Sequence, residues 1–328
     1  MPLLASRYRP AWWLPGPHLQ TLWPFLFRPL PLRDGRIERL DTTDSDFLDL
    51  AWYGAPDAPV VVLLHGLEGG LDSHYIRRSV RALLASGYRA CVMQFRGCSG
   101  VPNRLARSYH SGDTADLAFT LEHLRGTGRA PIGVVGFSLG GNVLLKWLGE
   151  QGEHSGIGCA MAVSVPFRLN DAALRMAGGL SRIYQKYLID SLVAKCRIKF
   201  RQHPAPTDVP LQQLKTFRLF DDQVTAPLHG YAGVDDYYAR ASSRGFIPAI
   251  RTPTLILHAS DDPFMYPDTP PTPAELPPAV QLELTAHGGH MGFVTGGWPW
   301  RTRCWFAVRL VEWLAAHRDG RRGCTAPA

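Results

Sequence analysis

The stretch that most constrains the fold of this chain is the pentapeptide Gly-Phe-Ser-Leu-Gly at residues 136–140, where an apolar run stops and a helical pattern begins. Residues 132–135 are mostly β-branched and predict a strand, and residues 142–150 place apolar side chains at helical spacing. A strand that turns directly into a helix leaves Ser138 at a sharp corner, which only small flanking residues permit. Such a corner lifts the hydroxyl clear of the backbone, so Ser138 is predicted to be a nucleophile. The alternative is a serine that merely occupies a tight glycine-rich turn.

A serine hydroxyl is a weak nucleophile at neutral pH, so this interpretation requires a base, an orienting acid and donors for the developing oxyanion. Downstream, a strand-like run at 253–258 is followed by two adjacent aspartates, and a run at 280–284 is followed by two histidines. The chain order is therefore serine, aspartate, histidine, each placed just after a predicted strand. This order matches one known arrangement of catalytic triads on parallel sheets and differs from those of the unrelated serine proteases.

Turn geometry favours Asp262 over Asp261 as the orienting acid, because Pro263 is expected to begin a short turn there. Adjacent side chains diverge, so only one carboxylate can face Nδ1 of the base. Asp261 is expected to bind a backbone amide or to face solvent. A pair of glycines gives the following loop the freedom to bring His290 inward as the base, which leaves His287 as the lesser candidate.

The end of another predicted strand, at residues 59–64, offers candidate oxyanion donors. Residues 59–64 form an unbroken apolar run, typical of a strand buried on both faces, and lead into the glycine-rich sequence His-Gly-Leu-Glu-Gly-Gly at 65–70. A glycine-rich turn there can aim a backbone N–H at the space above Ser138, and the residue after the nucleophile supplies a second donor. The candidates are the N–H groups of Leu67 and Leu139. A plain strand-to-helix turn at 65–70 is the alternative.

The chain also predicts an insertion. Between the buried runs at 157–165 and 253–258 it shows helical patterns but no strand of the buried type, and such a connection is far longer than usual. Residues 166–250 are therefore predicted to form a helical cap over the catalytic edge, with the core made by residues 32–165 and 251–318. Candidates for shaping the substrate site are Tyr184, Tyr187, Asp221, Asp222, Tyr237 and Tyr238.

The two ends of the chain differ from this core. Residues 1–31 are rich in tryptophan, phenylalanine and proline, with neither helical nor strand period, and are expected to wrap an apolar surface. Together with the cap they are predicted to form an apolar acyl pocket. His18 is interpreted as structural, and so is His110, for which a place in the pocket lining is the alternative. Residues 319–328 are predicted to be a loose tail.

Composition limits the partners. The net charge is +7, but the arginines are dispersed and no basic run appears, so nucleic-acid binding is not indicated, whereas weak contact with a membrane surface is left open. The six cysteines show no zinc-ligand spacing, and no metal or other cofactor is expected. The N-terminus lacks the pattern of a signal peptide and no run of 18 apolar residues occurs, which favours a cytoplasmic location. The oligomeric state is open.

Over nearly its whole length the chain resembles the YheT-like branch of the α/β-hydrolases, whose eukaryotic relatives are lipid-active abhydrolase proteins. The resemblance covers the predicted nucleophile, acid and base without a departure. It rests on the motifs at 17–21, 65–69, 95–100, 103–104, 108–113, 136–142, 164–167, 220–230, 236–238, 258–264 and 288–293.

The resemblance implies an α/β-hydrolase fold, with a mostly parallel central sheet, helices on both faces and a helical cap insertion. It also implies hydrolysis of carboxylic esters, with acylglycerols and other small-molecule or lipid esters as candidate substrates, through an acyl-enzyme on Ser138. Two alternatives stay open. One is an acyltransferase with the same triad, and the other is a non-catalytic lipid-binding or partner-binding homologue.

Overall fold

The computed structural model describes residues 2–27 and 29–318, so the predicted tail at 319–328 lies outside the described residues. Within them the chain forms eleven strands. They are β1 (Leu3–Leu4), β2 (Arg36–Asp41), β3 (Phe47–Tyr53), β4 (Val60–Leu64), β5 (Arg89–Gln94), β6 (Gly133–Phe137), β7 (Cys159–Val163), β8 (Thr254–Ala259), β9 (Val280–Thr285), β10 (Val294–Thr295) and β11 (Arg303–Cys304).

Nine strands form one sheet in the order β1-β9-β8-β7-β6-β4-β5-β3-β2, and β10 pairs with β11 in a separate hairpin. Only β2 with β3 and β3 with β5 run antiparallel in the large sheet, so its antiparallel pairs lie at one edge. The central strands β4, β6 and β7 are buried throughout, as their unbroken apolar sequences predict. The predicted fold class is confirmed.

The helices include ten α-helical segments in the described part of the chain. A π-helical turn, Asp221–Thr225, lies between α7 and α8, and short 3₁₀ turns occur at Gly152–His154, Leu211–Gln213, Ser243–Ala249, Pro273–Glu275 and Pro299–Arg301. The α-helices are α1 (Pro17–Leu26), α2 (His74–Ala85), α3 (Ala115–Gly126), α4 (Leu139–Gln151), α5 (Leu169–Met176), α6 (Ser181–Lys199), α7 (Phe217–Phe220), α8 (Ala226–Leu228), α9 (Val234–Ala241) and α10 (Trp305–Arg318).

Helices cover both faces of the sheet because successive strand residues point to opposite sides. In β4, Val62 and Leu64 join the apolar cluster that contains α3 and α4, whereas Val61 and Leu63 join the cluster that contains α2 and α10. None of the helices in the described part of the chain is long and apolar enough to span a bilayer.

The N-terminal segment, whose sequence shows neither helical nor strand period, contains β1, which extends the sheet beside β9, and helix α1. Residues 299–304 form a 3₁₀ turn and strand β11, and the last helix begins after them at Trp305. Helices α5, α6 and α9 lie between β7 and β8 as expected, whereas the division of the chain at 166–250 into a separate cap stays a prediction.

Candidate active site

Ser138 lies at the corner between β6 and α4 with a left-handed backbone, φ 50° and ψ −117°. A non-glycine residue in that region is strained and is held there by its surroundings. The two flanking glycines explain how the corner closes. A Cβ at Gly136 would lie 2.4 Å from the carbonyl oxygen of Gly140, and a Cβ at Gly140 would lie 2.5 Å from the carbonyl oxygen of His65. Any side chain at either glycine would therefore push the strand and helix apart.

His290 and Asp262 complete a hydrogen-bonded chain with the serine. Nε2 of His290 lies 3.1 Å from the Ser138 Oγ, and Nδ1 lies 2.8 Å from Oδ2 of Asp262. An ionised carboxylate only accepts hydrogen bonds, so Nδ1 carries the proton and Nε2 is free to accept from the serine hydroxyl. Both His290 and Asp262 are 3% exposed, and the ring of Phe264 stacks on the imidazole at 3.9 Å between centroids.

The neighbouring candidates have other partners. Asp261 accepts the backbone N–H of Gly289 at 2.9 Å, and its other oxygen lies 3.4 Å from Nδ1 of His287. Burial raises the pKa of the Asp261 carboxyl, because its effect outweighs that of the hydrogen bonds, which lower it. The structure thus brings Asp262 to the base and leaves Asp261 and His287 beside the loop. The catalytic roles of these residues stay predictions.

The loop that carries His290 is held by α1, a contact that sequence reasoning missed. The hydroxyl of Thr21 accepts the backbone N–H of His290 at 2.9 Å, and the Gln20 amide oxygen accepts the backbone N–H of Val294 at 2.8 Å. Helix and loop are so close that a Cβ at Gly292 would lie 2.1 Å from the Gln20 carbonyl oxygen. Thr21 and Gln20 belong to the motif at 17–21, but nothing in that motif indicates which loop it contacts.

The predicted oxyanion donors lie on the two turns that meet at Ser138. A Cβ at Gly66 would lie 3.2 Å from Cβ of Ser138, which brings the loop after β4 directly over the serine. Leu67 and Leu139 both line the space above it. Among the described residues no acceptor takes a hydrogen bond from either backbone amide. The role of the two amides as oxyanion donors stays a prediction.

Glu68 ties this loop to helix α6. Its side chain accepts from Ser191 at 2.5 Å and from Nζ of Lys195 at 2.9 Å, while its backbone N–H donates to the Tyr109 hydroxyl at 2.8 Å. Glu68 has φ 53°, so the loop adopts a strained conformation next to Leu67. These bonds fix the loop between the sheet and the insertion.

A cavity of about 1070 Å³, here called the Ser138 cavity, opens above the serine. Its walls come from three parts of the chain: the N-terminal segment, the loops after the strands, and the helices between β7 and β8. Most of the lining side chains are apolar. Those from α1 and α6 include Leu22, Phe25, Ile183, Tyr184, Tyr187 and Leu188.

Five of the six candidates in the insertion line this cavity: Tyr184, Tyr187, Asp221, Tyr237 and Tyr238. The sixth, Asp222, instead accepts the backbone N–H of Val234 at 3.1 Å. Burial raises the pKa of Asp221 to about 6 against the lowering effect of hydrogen bonds from Thr225 and Tyr238.

The two histidines interpreted as structural also reach the cavity wall. His18 lies 3.0 Å from the Tyr184 hydroxyl and stacks on that ring, so it joins α1 to α6. His110 accepts the backbone N–H of Gly112 at 3.1 Å, and burial together with the nearby His229 lowers its pKa well below the usual value. A neutral His110 is therefore consistent with a structural role.

Fold and site together define a protein of the α/β-hydrolase class: a mostly parallel sheet, a serine at the corner after a central strand, and histidine and aspartate after later strands. A family model described as alpha/beta hydrolase fold matches residues 59–297. The chain is 43% identical to YheT of Escherichia coli (strain K12), an esterase by name, over 93% of this chain and 92% of YheT. It therefore belongs to the YheT-like branch of the α/β-hydrolases.

More distant relatives carry lipid-related names. The monoacylglycerol lipase of Saccharomyces cerevisiae is 33% identical over 80% of this chain and 60% of its own length. Phospholipase ABHD3 of Mus musculus is 30% identical over 95% of this chain and 78% of its own length. Among solved structures, the Pyrococcus furiosus esterase Pf2001 superposes with a TM-score of 0.57 at 18% identity, covering 87% of this chain and 91% of that one, which supports the fold alone.

Proposed function

We propose that this protein is a serine hydrolase that cleaves carboxylic esters, with Ser138 as nucleophile, His290 as general base and Asp262 as the acid that orients it. The observation that carries the proposal is the unbroken hydrogen-bond chain, 3.1 Å and 2.8 Å long in its two steps, that ends at a cavity. Nucleophile, base and orienting acid within such distances are what acyl transfer through a serine requires.

In this mechanism His290 takes the hydroxyl proton as Ser138 attacks the ester carbonyl, and the oxyanion is held by the N–H groups of Leu67 and Leu139. Collapse of the tetrahedral intermediate breaks the bond to the alcohol, which leaves with the proton from His290. Water, deprotonated by His290, then attacks the acyl-serine, and the acid departs as Ser138 regains its proton. No step requires a metal or an organic cofactor.

A lipid ester is the substrate class that the cavity supports best. A space of about 1070 Å³ with mostly apolar walls has room for an acyl chain and favours its burial. The names of the yeast and mouse relatives, a monoacylglycerol lipase and a phospholipase, point to the same class.

Labelling with a fluorophosphonate probe tests the nucleophile. We expect labelling of the unchanged protein at Ser138 alone and none in Ser138→Ala, while the control Ser111→Ala, at a serine that also lines the cavity, keeps its label. Label that persists in Ser138→Ala would contradict the assignment.

A series of 4-nitrophenyl esters and monoacylglycerols of graded chain length, with and without acceptor alcohols, separates hydrolysis from acyl transfer and defines the acyl preference.

A further inference from the structure

Helix α1 buries Gln20 and Thr21 and exposes most of its large apolar side chains. Gln20 and Thr21 are 1% and 8% exposed, whereas Leu26 is 67% exposed. A helix on a protein surface ordinarily turns its apolar side to the core. Here the inner side is occupied by the polar contacts to the His290 loop, so the outer side consists of large apolar residues. At about 100° per residue, the large apolar side chains of α1 follow one another in the order Phe25, Leu22, Leu26, Leu19 and Trp23, with His18 between Phe25 and Leu22.

Three exposed tryptophans extend this surface. Trp12, Trp298 and Trp300 are 71%, 55% and 76% exposed, and their rings contact one another in turn at 6.2 Å and 5.6 Å between centroids. Trp13, next to Trp12, packs on Trp23 of α1 at 4.7 Å and so joins the tryptophans to the helix. The outer side of α1 and these three tryptophans are together called the aromatic face. Tryptophan is enriched where proteins meet the interface between membrane and water.

The segments that form the aromatic face carry positive charge only. Residues 1–33 and 284–303 contain no aspartate or glutamate and include six arginines. Arg9, Arg301 and Arg303 are exposed, and none of them forms an ion pair with an acidic residue in the part of the chain that the structure describes. Exposed apolar side chains flanked by arginines match a surface of anionic lipid.

The mouth of the Ser138 cavity opens at the same face. Leu22 and Phe25 of α1 are both exposed and line the cavity, as do Ile183 and Tyr187 of α6. The rings of Phe25 and Tyr187 meet at 5.8 Å across the two helices. The apolar surface of the molecule is thus continuous with the apolar wall of the cavity.

We propose that the aromatic face docks on the surface of an anionic lipid bilayer, with its apolar side chains among the head groups and its arginines against lipid phosphates. In this position the cavity mouth faces the lipid, and a lipid ester enters without crossing water. The docking itself is independent of chemistry at Ser138, whereas the delivery of an ester rests on the proposed function.

A second copy of the chain fits this face less well. An isologous dimer sets the same patch of each subunit against itself, so the arginines of the two copies would approach one another without acidic partners. A bilayer that contains anionic lipid offers both an apolar layer and the opposite charge.

Vesicle flotation of the full chain tests the docking. The protein carries Ser138→Ala so that no lipid is consumed, and vesicles of equal parts phosphatidylglycerol and phosphatidylcholine are compared with vesicles of phosphatidylcholine alone. We expect flotation with the anionic vesicles, a marked loss in high salt, and a several-fold smaller bound fraction when Leu26→Glu is added. The matched control is Ile37→Glu, since Ile37 is 50% exposed but lies on β2 at the other edge of the sheet, and it should leave binding unchanged.

Three results would overturn the proposal: no flotation with anionic vesicles, equal binding to phosphatidylcholine alone, or equal losses in Leu26→Glu and Ile37→Glu. A solution dimer that Leu26→Glu dissociates would assign the face to a second copy instead. Turnover of 4-nitrophenyl acetate by Leu26→Glu with Ser138 intact is measured in parallel. Its retention separates a failure of docking from a failure of the proposed hydrolase.

Discussion

At Gly140 the absence of a side chain decides the shape of the candidate site. The position lies in the first turn of α4, and a Cβ there would come within 3 Å of the backbone of Leu64 and His65 in the neighbouring strand end. That close approach lets the loop after β4 reach over Ser138. The sequence could predict this feature because the Gly-x-Ser-x-Gly spacing has one structural explanation when a strand precedes it and a helix follows.

The adjacent aspartates give a sharp test at this scale. Asp262→Asn should lower kcat/KM roughly 10³- to 10⁴-fold, since an amide at this position stabilises the wrong imidazole tautomer. Asp261→Asn should cost far less than that, because its Oδ1 accepts the Gly289 N–H at 2.9 Å and an amide oxygen can do the same. The measurement is steady-state kinetics on one activated ester, with circular dichroism to show that both variants are folded. A larger loss in Asp261→Asn would reverse the assignment.

Other residues of the site could not be predicted from sequence. Nothing in the sequence around Thr21 indicates its contact with His290, because the two residues are 269 positions apart and the contact depends on how α1 packs. The same holds for Glu68, whose partners Ser191 and Lys195 are more than 120 positions away. Local patterns locate strand ends and turns, whereas such pairs follow from tertiary packing.

Helix α1 is an element that the sequence analysis did not predict. Of its two prolines, Pro17 occupies the first turn, where a missing N–H costs nothing, whereas Pro24 lies inside the helix. Its hydrophobic pattern also misleads, since the polar residues Gln20 and Thr21 point inward. Pattern-based reasoning assumes that apolar side chains face the core, and here they face outward.

Thr21→Val tests whether α1 positions the base. The change keeps the shape of the side chain but leaves the buried N–H of His290 without its acceptor, a loss of about 1–3 kcal/mol. If part of this loss appears as misplacement of the imidazole, kcat should fall about ten- to a hundredfold with little change in KM. The fall should be equal for acetate and long-chain esters, as measured by steady-state kinetics on a graded ester series.

Two further variants distinguish the positioning of His290 by α1 from the lining of the Ser138 cavity by α1. Thr21→Ser retains the hydroxyl and should restore most of kcat. Leu22→Ala removes part of the cavity wall, so its losses should grow with acyl chain length. Full kcat in a folded Thr21→Val protein would show that the hydrogen bond does not position His290. Deletion of residues 1–31 removes both the Thr21 contact and part of the cavity wall, so a loss that grows with acyl chain length should appear on top of a general loss.

For the molecule as a whole, the central strands β4, β6 and β7 could be predicted from the sequence because each is an apolar run buried on both faces. The long stretch without a strand between β7 and β8 was visible as a gap in that series, whereas its division into a separate cap stays a prediction. The sequence also predicted an apolar acyl pocket between residues 1–31 and the helical insertion, and both regions line the Ser138 cavity together with the strand-end loops. Which of their side chains form its walls could not be predicted. Only the closed fold brings these three regions together.

Buried histidines make the stability of the whole molecule depend on pH. His65 is fully buried, with Nδ1 2.8 Å from the Gly66 carbonyl oxygen and Nε2 accepting the N–H of Phe95 at 3.1 Å. A protonated ring could not accept the hydrogen bond from Phe95, so the folded state favours neutral His65. Burial lowers the pKa of His65 to about 4, and burial lowers the pKa of His258 to about 4 as well.

These pKa values predict that the protein loses stability as pH falls from about 6.5 toward 4, because in that window the unfolded chain binds protons that the folded chain excludes. At pH 5 the loss is about 2 kcal/mol for His65. Asp221 acts in the opposite direction, since its raised pKa favours the folded state on acidification.

The contribution of His65 is isolated by His65→Gln, which should lower the free energy of unfolding at pH 7.5 but flatten its decline toward pH 5, measured by urea denaturation. The control His154→Gln, at an exposed histidine, should keep the decline of stability with pH seen in the unchanged protein. An equally steep decline in His65→Gln would show that His65 does not cause it.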